Sequence, residues 1–541
     1  MGRLIVMPGG EGSPLRVGES LLRHLQEMGM PVTARCSGTG ECGSCRIGIL
    51  SGSGLSTATR AETEVLDTRK ERLACQAFVV NGDADIIIIL EEAPAFSILE
   101  NGLKTGFHWD PPLVIWVNPE GKVAVRNGRE IALVEGRCSA VALDIGTTTL
   151  VARWYDLEKP DSLPIASVSM LNPQVRFGDN VIDRIGHTMI SPGGQLDLEE
   201  IVLGAVNQML EAGPVDHLEV WEMVAVGNTV MRDLFAGFPV KALGRAPYEP
   251  VSPGPVRRKA RERGIHGNPQ ADLYIPPVLG HFVGADMLAV LLAIGMNRSS
   301  DISMAIDIGT NTEIAIGNRD EILVTSCASG PAFEGSGIAC GIGAVEGAIS
   351  EVTVNPDRSV TYHTIGGKAP LGICGSGIVD ALAGMLRCGI LDSAGKFTGG
   401  REQVIIADRG QPGKSPIFLN GEDIDAVKLA KSAIYAGTRI LLESAGIGTR
   451  DLSSFFVAGA FGNSIVPGNA AAIGLIPALD PEQVIRAGNA AIEGASQMLL
   501  SMEKRKEAEA IVGITRHISL ENTPDFEDLY IQGLVLEPYE V

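Results

Sequence analysis

Four cysteines in the first part of the chain have the spacing of a metal-binding site. Cys36, Cys42 and Cys45 lie close together, and Cys75 follows much later in the sequence. Three thiolates from one loop and one distant thiolate are typical ligands of a [2Fe–2S] cluster. Structural zinc sites more often use two close cysteine pairs, and this segment has only one. The spacing predicts a [2Fe–2S] cluster, with a zinc site and unrelated thiols as the alternatives.

A small α+β domain is predicted around these cysteines, over residues 1–93. The segments RLIVM, PLRV, CRIGIL and DADIIIIL are typical of strands, and Leu21, Leu22 and Leu25 have helical spacing. The loop RCSGTGECGSC and the segment RLACQ around Cys75 resemble a [2Fe–2S] ferredoxin. The first cysteine gap of five residues is similar to the adrenodoxin-like variant. The resemblance implies a β-grasp fold.

The motif DIGT occurs twice, at Asp144 and at Asp307, and each copy follows an apolar strand. An Asp at the end of a strand can bind Mg²⁺ directly or through water. Gly146 and Gly309 allow each turn to approach phosphate oxygens, to which hydroxyl and N–H groups can donate. One copy alone is better explained by an ordinary β-hairpin. Two copies in the same context favour a nucleotide site between two similar lobes.

A third segment, FFVAGAFGNSI, places Gly459 and Gly462 after another apolar strand. Glycines there admit an adenosine group close to the backbone. The order of two acidic phosphate loops and then a glycine loop resembles the actin, Hsp70 and sugar-kinase superfamily of ATPases. That resemblance implies a two-lobed α/β region around a nucleotide cleft. On a long helix nearby, we expect Lys428 and Lys431 to be solvated rather than in contact with nucleotide.

Composition limits the possible partners and the cellular location. The chain has 541 residues, of which 45% are hydrophobic and 20% charged, and its formal net charge is −21. Such an acidic chain lacks the excess of Lys and Arg that neutralises phosphates, which argues against a nucleic-acid partner. The N-terminal sequence MGRLIVMPGG has no long apolar core, and the apolar runs are too short to span a bilayer. We therefore expect a cytoplasmic protein without a membrane segment.

Motifs along almost the whole chain closely resemble the reductive activators of corrinoid proteins. The domains expected on this basis are the ferredoxin domain 1–93, a linker with some β structure 94–137, a first lobe 138–300 and a second lobe 301–541. The motifs that carry the resemblance are DIGTTT, GHFVGAD, DIGTNTEIAI, ASGPAFEGSGI, CGSGIVDALAGML and VAGAFGN.

The resemblance implies an enzyme that couples ATP hydrolysis to electron transfer. One electron would pass from the [2Fe–2S] cluster to Co(II) of a corrinoid-binding methyl-carrier protein, regenerating Co(I). It also implies an electron donor to the cluster and a homodimer. The implied catalytic residues are Asp144 and Asp307, which would face Mg²⁺ and the phosphates. The implied cluster ligands and nucleotide contacts are Cys36, Cys42, Cys45 and Cys75, then Gly146, Thr147, Thr148, Gly309, Thr310, Asn311, Gly459 and Gly462.

Two alternatives use the same domains differently. One is a small-molecule kinase whose ferredoxin domain senses redox state. The other is an assembly factor similar to Hsp70, in which ATP controls the grip on a partner and the cluster is only structural. Phosphorylated product would indicate the first, and indifference to the redox state of the cluster would indicate the second.

Overall fold

The computed structural model describes residues 2–7, 11–28, 30, 32, 45–66, 71–90, 106–119, 121–159, 163–408, 415–462 and 464–541. Within these ranges the architecture agrees with the predicted fold class. A small α+β unit comes first, a three-stranded sheet follows, and two α/β lobes complete the chain.

The N-terminal unit is a five-stranded mixed sheet with the order β2-β1-β5-β3-β4. Its helix α1 begins after Ser20, whose side chain accepts a hydrogen bond from the Arg23 N–H. The predicted apolar face of α1 is buried in the core of this unit. The second strand begins at Glu11, earlier than the predicted PLRV segment. The elements are β1 Arg3–Met7, β2 Glu11–Pro14, α1 Leu21–Glu27, β3 Arg46–Ser51, α2 Arg60–Val65, β4 Glu71–Leu73 and β5 Ile86–Leu90.

The predicted linker contains a three-stranded antiparallel sheet that packs on the two lobes. Its strands are β6 Leu113–Asn118, β7 Gly121–Arg126 and β8 Arg129–Leu133. Leu113 and Ala124 are fully buried in a core shared with both lobes. From β7, Arg126 forms ion pairs with Glu222 at 2.9 Å and with Asp272 at 2.7 Å. This sheet is therefore anchored to the first lobe.

The first lobe is built on a six-stranded sheet with the order β11-β10-β9-β12-β14-β13. The first DIGT motif ends β9 and turns into antiparallel β10, as the strand–turn–strand pattern predicts. Strand β12 then pairs in parallel with β9. The elements are β9 Ser139–Ile145, β10 Thr149–Asp156, β11 Ala166–Leu171, α3 Val181–Ile190, α4 Gly194–Glu211, β12 Val220–Val226, α5 Thr229–Ala236, β13 Val256–Lys259, β14 Asp272–Ile275 and α6 Ala285–Ile294.

The second lobe repeats this hairpin in a six-stranded sheet with the order β24-β23-β15-β16-β17-β25. The second DIGT motif ends β15 and turns into antiparallel β16. The elements are β15 Ser303–Ile308, β16 Thr312–Gly317, β17 Ile322–Cys327, β18 Ala348–Val354, β19 Val360–Thr364, β20 Gly372–Ile373, α7 Gly375–Arg387, β21 Gln403–Ala407, β22 Ile417–Asn420, α8 Gly421–Ala445, β23 Ser454–Ala458, α9 Gly459–Gly462, α10 Pro467–Ala472, β24 Val484–Gly488, α11 Ala490–Leu500, α12 Met502–Ile514, β25 Thr515–His517 and α13 Phe526–Gln532.

Helices α6 and α11 join the two lobes through one apolar core. Buried residues of both sheets belong to this core, together with Leu288 from α6 and Met498 from α11. The helices approach so closely that a Cβ at Gly494 would lie 2.0 Å from the Ala289 carbonyl oxygen. Close packing of this kind fixes the relative position of the two DIGT turns.

None of the helices in the described ranges is long and apolar enough to cross a membrane.

Candidate functional site

The two DIGT turns face each other across a cavity between the lobes. The hydroxyl oxygens of Thr148 and Thr310 lie 3.2 Å apart. The cavity has a volume of about 460 Å³. All but one of the predicted nucleotide and Mg²⁺ residues line it, namely Asp144, Gly146, Thr147, Thr148, Asp307, Gly309, Thr310, Asn311 and Gly459. The exception is Gly462, which packs on its own strand, since its added Cβ would lie 2.9 Å from the Val457 carbonyl oxygen.

Two of the predicted glycines are required by close backbone approach. An added Cβ at Gly146 would lie 2.5 Å from the Thr149 carbonyl oxygen, inside the first turn. Gly459 has a φ of +86°, and its added Cβ would lie 2.7 Å from Asp307 Oδ1. A side chain at Gly459 would therefore meet steric and backbone strain at the carboxylate of the second motif.

Four carboxyl groups line the cavity close to one another: Glu313 is buried, and Asp144, Asp286 and Asp307 are partly exposed to the cavity. Burial raises the pKa of Asp144 well above its usual range, and the charges of Asp286 and Asp307 add to the shift. Burial also raises the pKa of Asp307 to about 6, and burial with the charge of Asp307 raises that of Asp286 to about 7. Burial likewise raises the pKa of Glu313 on β16, and the charges of Asp286 and Asp307 add to this shift. Anionic carboxylates in this cluster would repel each other, and a cation would offset that repulsion.

The arrangement suits Mg²⁺ bound together with phosphate. In the part of the chain that the structure describes, no three His, Cys, Asp or Glu side chains form a group that could hold a metal ion. Mg²⁺ usually keeps several waters and is bound through one or two carboxylates and substrate phosphates. Asp144 and Asp307 can supply those carboxylates. The donor set therefore fits a Mg²⁺–nucleotide rather than a cation held by protein alone.

The first phosphate turn is supported from behind by Arg184 and Asn228. Arg184 is fully buried, and its Nη2 donates to the Thr147 carbonyl oxygen at 2.6 Å. Burial lowers the pKa of Arg184 to about 9. The Asn228 side-chain amide donates to Thr147 Oγ1 at 2.8 Å. These contacts fix the orientation of Thr147, the residue after Gly146.

Three acidic residues of the site had no role assigned from the sequence. Asp286 is the second residue of α6, and Glu313 follows the second DIGT turn on β16. Glu334 Oε2 accepts hydrogen bonds from Thr310 Oγ1 at 2.8 Å and from Thr148 Oγ1 at 3.1 Å. The GHFVGAD and AFEG motifs contain Asp286 and Glu334, but neither motif is repeated in the chain as DIGT is.

Two of the four predicted cluster ligands lie at one end of the ferredoxin-like sheet. Cys45 immediately precedes β3, and Cys75 follows β4. The Ala74 N–H donates to the Cys45 carbonyl oxygen at 2.8 Å, which brings the two segments together. Both cysteines are nearly fully buried. Cys36 and Cys42 lie outside the described residues.

Lys431 corrects one expectation about the long helix α8. This lysine is buried, and its ammonium group donates to the Val535 carbonyl oxygen. Burial lowers the pKa of Lys431 to about 8. It was expected to be solvated, and this was wrong because the C-terminal segment covers its face of α8. Lys428 also has protein partners, the Ala394 carbonyl oxygen at 2.8 Å and Asp425 at 3.0 Å.

Comparison with known proteins assigns three regions of the chain to families. Residues 8–80 match the model of the 2Fe-2S iron-sulfur cluster binding domain, and residues 139–299 match the RACo middle region. Residues 301–541 match the C-terminal domain of RACo, described as the ASKHA domain. These matches confirm the predicted ferredoxin-type domain and actin-like ATPase region, with [2Fe–2S], ATP and Mg²⁺ as the cofactors.

Similar proteins extend over nearly the whole chain. The corrinoid activation enzyme RamQ of Eubacterium limosum is 31% identical, and the alignment covers 95% of this chain and 96% of that protein. The [Co(II) methylated amine-specific corrinoid protein] reductase of Methanosarcina barkeri is 26% identical over 74% of this chain and 78% of its own. A solved structure described as a reductive activator for corrinoid, iron-sulfur protein matches with a TM-score of 0.73 and 27% identity, covering 99% of both chains. The predicted resemblance is thus confirmed, and the chain belongs to the RACo family of reductive activators of corrinoid proteins.

Proposed function

We propose that this chain uses ATP to reactivate a corrinoid-binding methyl-carrier protein by one-electron reduction of Co(II) to Co(I). The observation that carries this proposal is the meeting of two acidic phosphate turns around one cavity, in a chain that also has a ferredoxin-type domain. The similar proteins are named for activation or reduction of corrinoid proteins. Neither alternative, a kinase or an assembly factor, would account for the corrinoid activation and reduction for which these similar proteins are named.

The energetic reason for combining the two activities is the potential of the acceptor. The [2Fe–2S] cluster, when bound, supplies one-electron chemistry, and plant-type clusters have potentials near about −400 mV. Transfer to an acceptor of lower potential is uphill by roughly 1.4 kcal/mol for every 59 mV. The protein can supply that energy if its affinity for the partner differs between its nucleotide-bound states.

The side chains of the cavity have distinct proposed roles. Asp144 and Asp307 would hold Mg²⁺, and Thr147, Thr148, Thr310 and Asn311 would contact the phosphates. Asp286 is the proposed residue that activates the attacking water. Its carboxyl group lies in the first turn of α6 and has a pKa of about 7, near which a group can both accept and release a proton at neutral pH. Gly459, which lines the cavity, and Gly462 in the same loop are the proposed adenosine contacts.

The proposed cluster ligands are Cys36, Cys42, Cys45 and Cys75. The proposed division of the chain is a ferredoxin domain, a linker and two lobes, at residues 1–93, 94–137, 138–300 and 301–541. The separate sheets of the ferredoxin unit, the linker and the two lobes support these boundaries. An electron donor is proposed to reduce the cluster, in the cytoplasm.

A homodimer is the proposed assembly. Strand β11 lies at the edge of the sheet of the first lobe, and α3, the next α-helix along the chain, exposes Ile182 and Ile190. An open sheet edge and exposed apolar side chains are each suited to contact with a second copy. Light scattering on the purified full chain tests this proposal, and a mass of one chain at micromolar concentration would contradict it.

The function itself is tested with purified protein and a Co(II) corrinoid protein. The cobalt spectrum should change to that of Co(I) only when reductant, the full chain and MgATP are all present. Phosphorylation of a sugar or carboxylate by the same preparation would instead support the kinase.

A further inference from the structure

Glu334 connects the two phosphate turns through a single carboxylate oxygen. Its Oε2 accepts from Thr310 Oγ1 at 2.8 Å and from Thr148 Oγ1 at 3.1 Å. The other carboxylate oxygen, Oε1, lies 3.6 Å from the position of an added Cβ at Gly309. The carboxylate therefore lies over the second turn and reaches the first.

The two threonine hydroxyls cannot serve Glu334 and a phosphate group at the same time. A hydroxyl has one proton to donate. While both protons point at Glu334, neither Thr148 nor Thr310 can donate to a phosphate oxygen. A carboxylate and a phosphate are both anions that accept several hydrogen bonds, so they compete for the same donors and repel each other.

The backbone that carries Glu334 is tied to the second turn. The Glu334 N–H donates to the Pro331 carbonyl oxygen at 2.9 Å, and the Gly330 N–H donates to the Thr310 carbonyl oxygen at 3.0 Å. Gly335 follows with a φ of +82°, where an added Cβ would lie 2.5 Å from the Ile342 carbonyl oxygen. Since the backbone is held in this way, the length of the Glu334 side chain decides whether its carboxylate reaches Thr148.

We propose that Glu334 is a positioning residue that takes the place of a nucleotide phosphate and latches the two turns together through Thr148 and Thr310. The terminal phosphates of the nucleotide displace its carboxylate when they bind. This inference rests on the proposed ATP-dependent function and adds a competitor built into the chain. When the phosphates break the contacts of Glu334 with Thr148 and Thr310, nucleotide binding also affects the segment around Gly335, which follows Glu334 in the chain.

The test compares nucleotide affinity in the full-length wild type and in Glu334→Asp (E334D) by calorimetry with a non-hydrolysable MgATP analogue. Asp keeps the charge but is one methylene shorter, so it cannot bridge both hydroxyls. E334D is expected to bind the analogue about tenfold more tightly. The reason is that the free protein loses one charged hydrogen bond between residue 334 and the threonines, which the phosphates must otherwise break. Adenosine has no phosphate group to compete with the Glu334 carboxylate, so its affinity should stay within about twofold.

Two controls separate the latch from a general effect of charge or misfolding. Glu346 is exposed outside the cavity, and E346Q should bind the analogue like the wild type. E334Q keeps the size of the side chain and weakens its acceptor, so it should also bind the analogue more tightly. Thermal melting of each variant establishes that it is folded, and if E334D fails to fold, E334Q decides.

Unchanged or weaker binding of the analogue by folded E334D or E334Q would overturn the inference. Equal tightening for adenosine would also overturn it, because the effect would not depend on phosphate. A wild-type protein that binds no adenine nucleotide would instead overturn the proposed function, so the two failures can be distinguished.

Discussion

The hydroxyl oxygens of Thr148 and Thr310 lie 3.2 Å apart, although 162 positions separate the two residues in the chain. Each hydroxyl belongs to the turn after an acidic strand end, one in each lobe. The apolar core of α6 and α11 holds the two sheets in the position that makes this contact possible. A nucleotide bound here would therefore contact both lobes through these two turns.

Substitution of Gly459 by Ala should impair nucleotide binding. The added methyl group would lie 2.7 Å from Asp307 Oδ1, at a residue whose φ is +86°. The methyl group would push the Asp307 carboxylate out of its position at the proposed Mg²⁺ site, and a loss of about 1–3 kcal/mol in binding would lower the affinity for MgATP by roughly tenfold or more, as calorimetry can measure. Gly468 has open space around it, and G468A is the matched control. Equal affinities in the two variants would contradict the proposed contact.

The carboxyl cluster of the cavity should make stability without Mg²⁺ depend on pH. Burial raises the pKa of Asp307 to about 6, above the value of about 4 in an unfolded chain. The protonated group therefore favours folding at low pH, and this contribution is lost as the pH rises from about 4 through about 6. Burial and the charge of Asp307 raise the pKa of Asp286 to about 7, so the stability that protonated Asp286 contributes is lost as the pH rises towards neutral.

We expect the melting temperature of D307N to fall less than that of the wild type over this range of pH, in buffer containing a chelator. D320N, which changes an exposed turn residue, should behave like the wild type. MgATP should reduce the pH dependence of the wild type. Parallel melting curves for wild type and D307N would show that Asp307 does not titrate as described.

The anchoring of the linker sheet should depend on Arg126. Glu222 is buried between Arg126 from β7, at 2.9 Å, and Arg505 from α12, at 3.0 Å. Removing one partner of a buried ion pair typically costs about 3 kcal/mol. R126A should lower the free energy of unfolding by about that amount in urea denaturation. R129A removes an exposed arginine from β8 and should change it little, and equal losses would contradict the role of Glu222.

Cluster content should depend on the proposed ligands and not on the other cysteines. C42S should lose the iron of the wild type, because a hydroxyl is a poor replacement for a thiolate ligand. C388S alters a half-buried cysteine that lies 3.4 Å from the Asn355 carbonyl oxygen, and it should keep two irons per chain, about the number in a [2Fe–2S] cluster. Iron analysis and the visible spectrum measure both variants. Loss of iron in C388S as well would indicate general misfolding.

Repetition made one part of the site predictable from the sequence. Asp144 and Asp307 have the same motif in the same strand context, and the structure brings both to the cavity. Asp286 and Glu313 reach the same point from a helix start and a second strand. Nothing in their single sequence contexts indicates that their carboxyl groups meet those of the DIGT motifs.

Other residues were not predicted correctly because segments distant in the sequence pack over them. Lys431 has the spacing of a solvated helix residue, but the C-terminal segment covers it, and a carbonyl more than one hundred positions away accepts from it. Gly462 looks like a second nucleotide contact, yet it serves the packing of its loop on Val457. The hairpin at each DIGT motif followed from the apolar runs on both sides of the turn, whereas the linker was predicted to contain only short β segments and not a three-stranded sheet.

The most direct test of the central claim is reduction of cobalt in a Co(II) corrinoid protein of the methyl-carrier type. The full chain, carrying its cluster, is mixed with this protein and a reductant, and the cobalt absorption is followed before and after MgATP is added. We predict that Co(I) forms only after MgATP is added, and that D307N does not support its formation. Formation of Co(I) at the same rate without nucleotide, or none with it, would contradict ATP-dependent activation by this chain.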